Sequence, residues 1–107
     1  MKYPKTTIII SVYKDTQSLG FILDSLEMQT IIPDEIIISE DGDSGEMATF
    51  FAAQKHRFMS LVHLTQPDEG WRKNKALNNA IKAAKSEYLI FIDGDCIPYT
   101  TFIQAHL

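Results

Sequence analysis

The sequence predicts an α/β protein: a mostly parallel sheet with helices on both faces. Two observations carry this. Short β-branched runs alternate with stretches whose apolar residues recur at helical spacing. The connections between successive runs are also long enough to hold a helix, as parallel pairing requires. A third observation agrees: the runs are continuously apolar rather than alternating, the mark of strands buried on both faces.

The elements follow in order. Residues 6–12, Thr-Thr-Ile-Ile-Ile-Ser-Val, read as a buried strand. Asp15 or Thr16 can cap a helix through residue 28, with Leu19, Ile22, Leu23 and Leu26 on one face. After Pro33, residues 35–39 form a second strand. Glu40-Asp41-Gly42-Asp43-Ser44 is a turn rich in acid and glycine, and Ser44 with Met47, Phe50 and Phe51 predicts a helix to about residue 56. Residues 59–64 are a third strand and 66–70 a loop. A helix over 71–85 places Ala76, Leu77, Ala80, Ile81 and Ala84 on one face. Residues 88–92 form a fourth, fully apolar strand, and residues 100–107 begin another helix. A helix starting there would ordinarily return to the sheet, so residues 1–107 are expected to be a single domain that is the N-terminal part of a longer one.

The bulk properties limit the functions available. The chain has 107 residues, 45% hydrophobic and 22% charged, which is enough apolar material for a core. The net charge of -4 gives no general attraction to nucleic acid or to an anionic membrane. The single cysteine, Cys96, excludes an internal disulfide and fits a reducing compartment. No apolar run approaches the ~18 residues of a membrane span, and the N-terminus lacks a secretory h-region. The chain is expected in the cytoplasm, at the inner face of the membrane in a longer protein.

In open parallel sheets, ligands bind beyond the carboxyl ends of the strands. The residues there are Ser11, Tyr13 and Lys14 after the first strand, Glu40, Asp41 and Asp43 after the second, and Asp93-Gly94-Asp95 after the fourth. Asp93 and Asp95 are hard oxygen ligands two apart, and Gly94 lets the chain bend so that both reach one site. Mg2+ or Mn2+ would relieve their repulsion, with phosphates completing the coordination shell. Asp41 can accept hydrogen bonds from a base N–H or a ribose hydroxyl, and Tyr13 offers an aromatic face. Arg72, Lys73 and Lys75 open a helix where the dipole is already positive, a placement that suggests a bound anion. His56, His63 and His106 share no metal-ligand spacing with Cys96 and are assigned to packing or surface.

These residues resemble the N-terminal half of the family 2 glycosyltransferases, which have the Rossmann-like GT-A nucleotide-diphospho-sugar-binding fold. The similarity rests on the strand into Ser11-Val12-Tyr13, on Leu26-Glu27-Met28-Gln29-Thr30 before Pro33-Asp34-Glu35, and on Glu40-Asp41-Gly42-Asp43-Ser44. It continues through Asp68-Glu69-Gly70-Trp71-Arg72 and Asp93-Gly94-Asp95. The resemblance implies that Ser11, Tyr13, Asp41, Arg72 and Asp93 bind the nucleotide, and that Asp93 and Asp95 hold Mn2+ or Mg2+. It implies metal-dependent, inverting transfer of a sugar from a UDP- or GDP-sugar to a saccharide or lipid-linked acceptor, in cell-surface polysaccharide or lipopolysaccharide synthesis. The catalytic base is then expected downstream of Leu107. Two positions depart from the family pattern: Glu40 stands where Asp is usual, and Lys14 where Asn is frequent.

Three alternatives remain at this level. Ile92-Asp93-Gly94-Asp95 also resembles the nucleophile motif of haloacid-dehalogenase-like phosphatases, although that motif normally opens a chain. A phosphoacceptor receiver domain needs an acidic pair after the first strand, where Tyr13-Lys14 stand instead. A nucleotide-binding module without catalysis is the third.

Overall fold

A computed structural model describes residues 4–58, 60–66, 73–94 and 102–106. The described elements are β1 (Thr6–Val12), α1 (Thr16–Glu27), β2 (Glu35–Glu40), α2 (Gly45–Gln54), β3 (Leu61–Leu64), α3 (Lys73–Ala83), β4 (Tyr88–Asp93) and α4 (Phe102–His106). The strands form a four-stranded sheet in the order β3-β2-β1-β4, and each pairing is parallel.

The helix positions follow from this order. Parallel crossovers are right-handed, so moving from β1 to β2 to β3 in one direction puts α1 and α2 on one face. The return past β1 to β4 reverses the direction and puts α3 on the other. The two apolar clusters divide in the same way. Ile8, Ile10, Ile36, Ile38, Ile90 and Ile92 pack with Leu19, Ile22, Leu23 and Leu26 of α1, Met47 of α2 and Ile103 of α4. Ile9 and Ile37 pack with Ala80 of α3, flanked by Val62, Leu64, Leu77 and Leu89. The α1 residues recur at i, i+3, i+4 and i+7 and are all fully buried. Each such side chain contributes about 1.5–3 kcal/mol by leaving water.

Capping chemistry sets the helix starts. Asp15 caps α1, accepting from Ser18 N at 3.0 Å and from Ser18 Oγ at 2.7 Å. Ser44 caps α2, its Oγ accepting from Met47 N at 3.3 Å. Short α4 is tied to the end of α1, because Gln29 Oε1 accepts from Ile103 N at 3.1 Å and Thr30 Oγ1 donates to Gln104 Oε1 at 2.9 Å. At the far edge of the sheet, buried Glu35 accepts from Thr7 Oγ1 at 2.9 Å and from Lys85 N at 3.0 Å. That second bond fixes the C-terminal end of α3 beside the start of β2.

Two expectations change. β4 is not buried throughout: Ile90 and Ile92 are buried, but Phe91 is 49% exposed, because the strand has a β neighbour on one side only among the described residues. Ile81 does not join the apolar face of α3. Ala76 and Ala80 hold the line of contact with the sheet, and Ile81 lies 44% exposed.

Candidate functional site

The strand order reverses between β1 and β4, the position at which open parallel sheets take their ligands beyond the carboxyl ends of the strands. Ser11 pairs in register with Ser39 on one side and Asp93 on the other. The side chains of one register row point to one face, here the α3 face, because Ile9, Ile37 and Leu89 of that face lie at even spacing before them. The row crosses three strands, roughly 10 Å at the usual strand spacing. α3 runs back against the strands, so its N-terminus stands at this same edge, with exposed Lys75 in its first turn.

Asp41 continues the ladder past the end of β2, its N donating to Val12 O at 3.0 Å. It is 6% exposed, and its Oδ1 accepts from Gln66 Nε2 at 2.7 Å. Gln66 N in turn donates to Gly42 O at 3.1 Å. Gly42 has φ 147°, a conformation that a side chain would strain, so glycine is required at this turn. Tyr13 is 49% exposed, and Lys14 Nζ stands 5.1 Å from its ring centroid. Asp93 is the last residue of β4 and is exposed.

Gly94 bears on this edge in a way the sequence did not suggest. A Cβ there would lie 2.5 Å from Ser11 O and 3.3 Å from Val12 Cα. The close approach of the β4 end to β1 therefore excludes every side chain at position 94, whatever else the glycine permits.

Glu40, on the opposite face, is structural. Its Oε2 accepts from Ser44 N at 2.9 Å, its Oε1 lies 2.8 Å from His63 Nε2, and His63 packs on Phe51 with centroids 5.2 Å apart. It joins the turn before α2 to β3, and His63 is a packing residue as expected.

Of the residues singled out in the sequence, Ser11, Tyr13, Asp41 and Asp93 lie at one edge of the sheet. Arg72 and Asp95 lie outside the described residues, as do Trp71 and Cys96. Asp43 is exposed in the turn before the Ser44 cap. Two neighbours were missed. Ser39 Oγ is buried in the central row with no hydrogen-bond partner among the described residues, and such an orphan calls for a water or a ligand group. Its signal was a lone hydroxyl in an apolar run. Gln66 gave no sequence signal.

Among the described residues, no group of three or more His, Cys, Asp or Glu could hold a metal ion. An ion that takes one or two carboxylates and fills its shell from phosphates fits what is present, with exposed Asp93 as one oxygen donor. No described helix is long and apolar enough to cross a membrane.

Comparison with known proteins shows the family and the fold. Residues 7–107 match the family described as Glycosyl transferase family 2. The chain is 36% identical over 95 residues to an uncharacterized glycosyltransferase, EpsJ, of Bacillus subtilis (strain 168), covering 86% of this chain and 26% of EpsJ. It is 30% identical over 93 residues to a poly(ribitol-phosphate) beta-glucosyltransferase of Bacillus spizizenii, covering 85% of this chain and 15% of that protein. The chain thus spans about a quarter or less of these curated relatives. Among solved structures, the mannosyltransferase PcManGT from Pyrobaculum calidifontis, in complex with GDP-Man and Mn2+, superposes with a TM-score of 0.75 at 22% identity over 90% of this chain and 29% of that one. S. aureus TarS 1-349 in complex with UDP-GlcNAc superposes with a TM-score of 0.74 at 20% identity, covering 95% of this chain and 30% of that one. These structures share the fold, so the α/β sheet is of the GT-A kind.

Proposed function

The chain belongs to glycosyl transferase family 2, and from that premise we propose that it forms the donor-binding part of a glycosyltransferase. The enzyme transfers a sugar from a UDP- or GDP-sugar to a hydroxyl of a saccharide or lipid-linked acceptor. Its setting is cell-surface polysaccharide or lipopolysaccharide synthesis, in the cytoplasm at the inner face of the membrane. The relative named for poly(ribitol-phosphate) glucosylation supports the polymer setting, and the neighbours bound to GDP-Man and UDP-GlcNAc support the donor class.

The observation that carries the proposal is the gathering of Ser11, Tyr13, Asp41 and Asp93 at the carboxyl edge where strand order reverses. Asp41 accepts from the base, Tyr13 covers the base face, and Ser11 holds the nucleoside from the central strand. Asp93 serves the ribose or the metal, Asp95 is the second carboxylate, and Arg72 pairs with the diphosphate or base. Mn2+ or Mg2+ held there would stabilise the charge on the departing diphosphate. Transfer is inverting: a carboxylate downstream of Leu107 takes the acceptor hydroxyl proton, the oxygen bonds to the anomeric carbon, and the bond to the diphosphate breaks. The phosphatase and receiver readings fall with the family match over residues 7–107.

Calorimetric titration of UDP, GDP and their sugars with and without Mn2+, repeated on Asp95→Ala, tests this. Metal-dependent binding that the substitution abolishes is the expected result. A folded chain that binds none of these nucleotides would sink the proposal.

A further inference from the structure

A buried bond joins Gln66 to Asp41 at the carboxyl edge of the sheet. Asp41 and Gln66 are each 6% exposed, and their side chains meet at 2.7 Å. A carboxylate only accepts, so Gln66 presents its amide N–H2 and the amide orientation is settled by its partner. Gln66 is itself held by its main chain, N to Gly42 O at 3.1 Å, and Asp41 by its N to Val12 O at 3.0 Å. Gln66 comes two residues after the end of β3 and Asp41 one residue after β2. The bond therefore joins the strand ends on which the carboxylate depends for its direction.

From this we infer that Gln66 is a positioning residue that sets base selectivity through Asp41. The inference rests on the reading that Asp41 meets the nucleobase. A carboxylate left to rotate can turn to suit several donor patterns. One pinned through Oδ1 presents a fixed acceptor before the ligand arrives, and little ordering remains to be done on binding. That fixed acceptor matches a base with a ring imino N–H, which uracil and guanine carry. Cytosine and adenine place a ring nitrogen lone pair at that position, and two acceptors facing each other in a buried site repel. The ligand class is thus a nucleoside diphosphate with an imino-bearing base, and Gln66 acts on it without touching it.

The test is the ratio of UDP to CDP affinity, measured by calorimetry on the 107-residue chain with Mn2+. Gln66→Met keeps side-chain length and removes the donor. Gln66→Asn stays polar but is one methylene too short to reach. Thermal unfolding identifies which variants are folded, and either one suffices. The wild-type chain is expected to prefer UDP. The variants are expected to lose about tenfold of that preference, the size of one charge-assisted hydrogen bond. Equal loss of UDP and CDP affinity, or no loss, would show a clamp that only supports the loop and overturns the inference. Asp41→Asn separates the two levels. If it abolishes the preference while the Gln66 variants keep it, Gln66 alone is wrongly assigned. If it leaves the preference intact, or the wild-type chain shows no preference, the reading of Asp41 fails and the inference with it.

Discussion

At the scale of single residues, two backbone positions matter more than their side chains. A Cβ at position 94 would lie 2.5 Å from Ser11 O, so Gly94→Ala must push the end of β4 away from β1. Overpacking of this kind costs about 1–3 kcal/mol, and urea denaturation should show a loss in that range together with weaker nucleotide binding. Lys14 is the second position. Its φ of 57° lies in the left-handed region, where a lysine is strained and Asn is better tolerated. Lys14→Asn is expected to raise stability by about 0.5–1 kcal/mol, read from the urea midpoint. Both positions were visible in the sequence, and neither for its real reason. Gly94 was read as freeing the chain to bend, and Lys14 only as a departure from a pattern. A sequence shows residue identity, whereas close approach and backbone sign exist only once β1 and β4 are side by side. Asp41 was legible as an acceptor at a strand end. Gln66 was not, because the bond joins residues that the pattern keeps far apart.

Elements were more readable, because their signals are local. The α1 apolar face at Leu19, Ile22, Leu23 and Leu26 is periodicity and stands as read, and of the two caps the sequence offers, Asp15 and Thr16, the structure uses Asp15. The exposed half of β4 was misplaced because burial of an edge depends on which neighbours a strand has, and Ile81 because α3 meets the sheet along Ala76 and Ala80; composition contains neither. The Asp15 cap makes a pH prediction. Its hydrogen bonds from the Ser18 backbone N–H and then the Ser18 hydroxyl hold the carboxyl below its ordinary 3.8. A carboxyl depressed in the folded state adds stability above its unfolded value and loses it as pH falls through the folded one. Wild-type stability should therefore drop across the acid side of pH 4. Asp15→Asn, a comparable cap without a titrating group, should lose less between pH 7 and pH 3 by urea denaturation, while differing little at pH 7.

For the whole molecule, the strand order decides where chemistry can happen. The sequence predicted parallel strands and two helical layers, but not that β1 would be central. That follows from the pairing of residues 6–11 with residues 88–93, a contact no local signal announces. Because the carboxyl edge draws on β1, β2 and β4 together, a ligand bound there should stabilise the entire sheet. At a nucleotide diphosphate concentration near 100 times Kd, with Mn2+, the gain is about 2.7 kcal/mol, a rise in Tm of roughly 10 °C or more for a chain of this size. Scanning calorimetry with and without the metal would measure it, and a Tm unmoved by the ligand would show that the folded chain does not bind it. The same pairing bears on how the chain is made. During synthesis β1 emerges before β2 and can meet it early, but the hydrogen bonds it shares with β4 wait until residues 88–93 have left the ribosome. Until then one flank of an isoleucine-rich strand is open to the wrong partner, a long-range closure of the kind that slows folding and calls on chaperones.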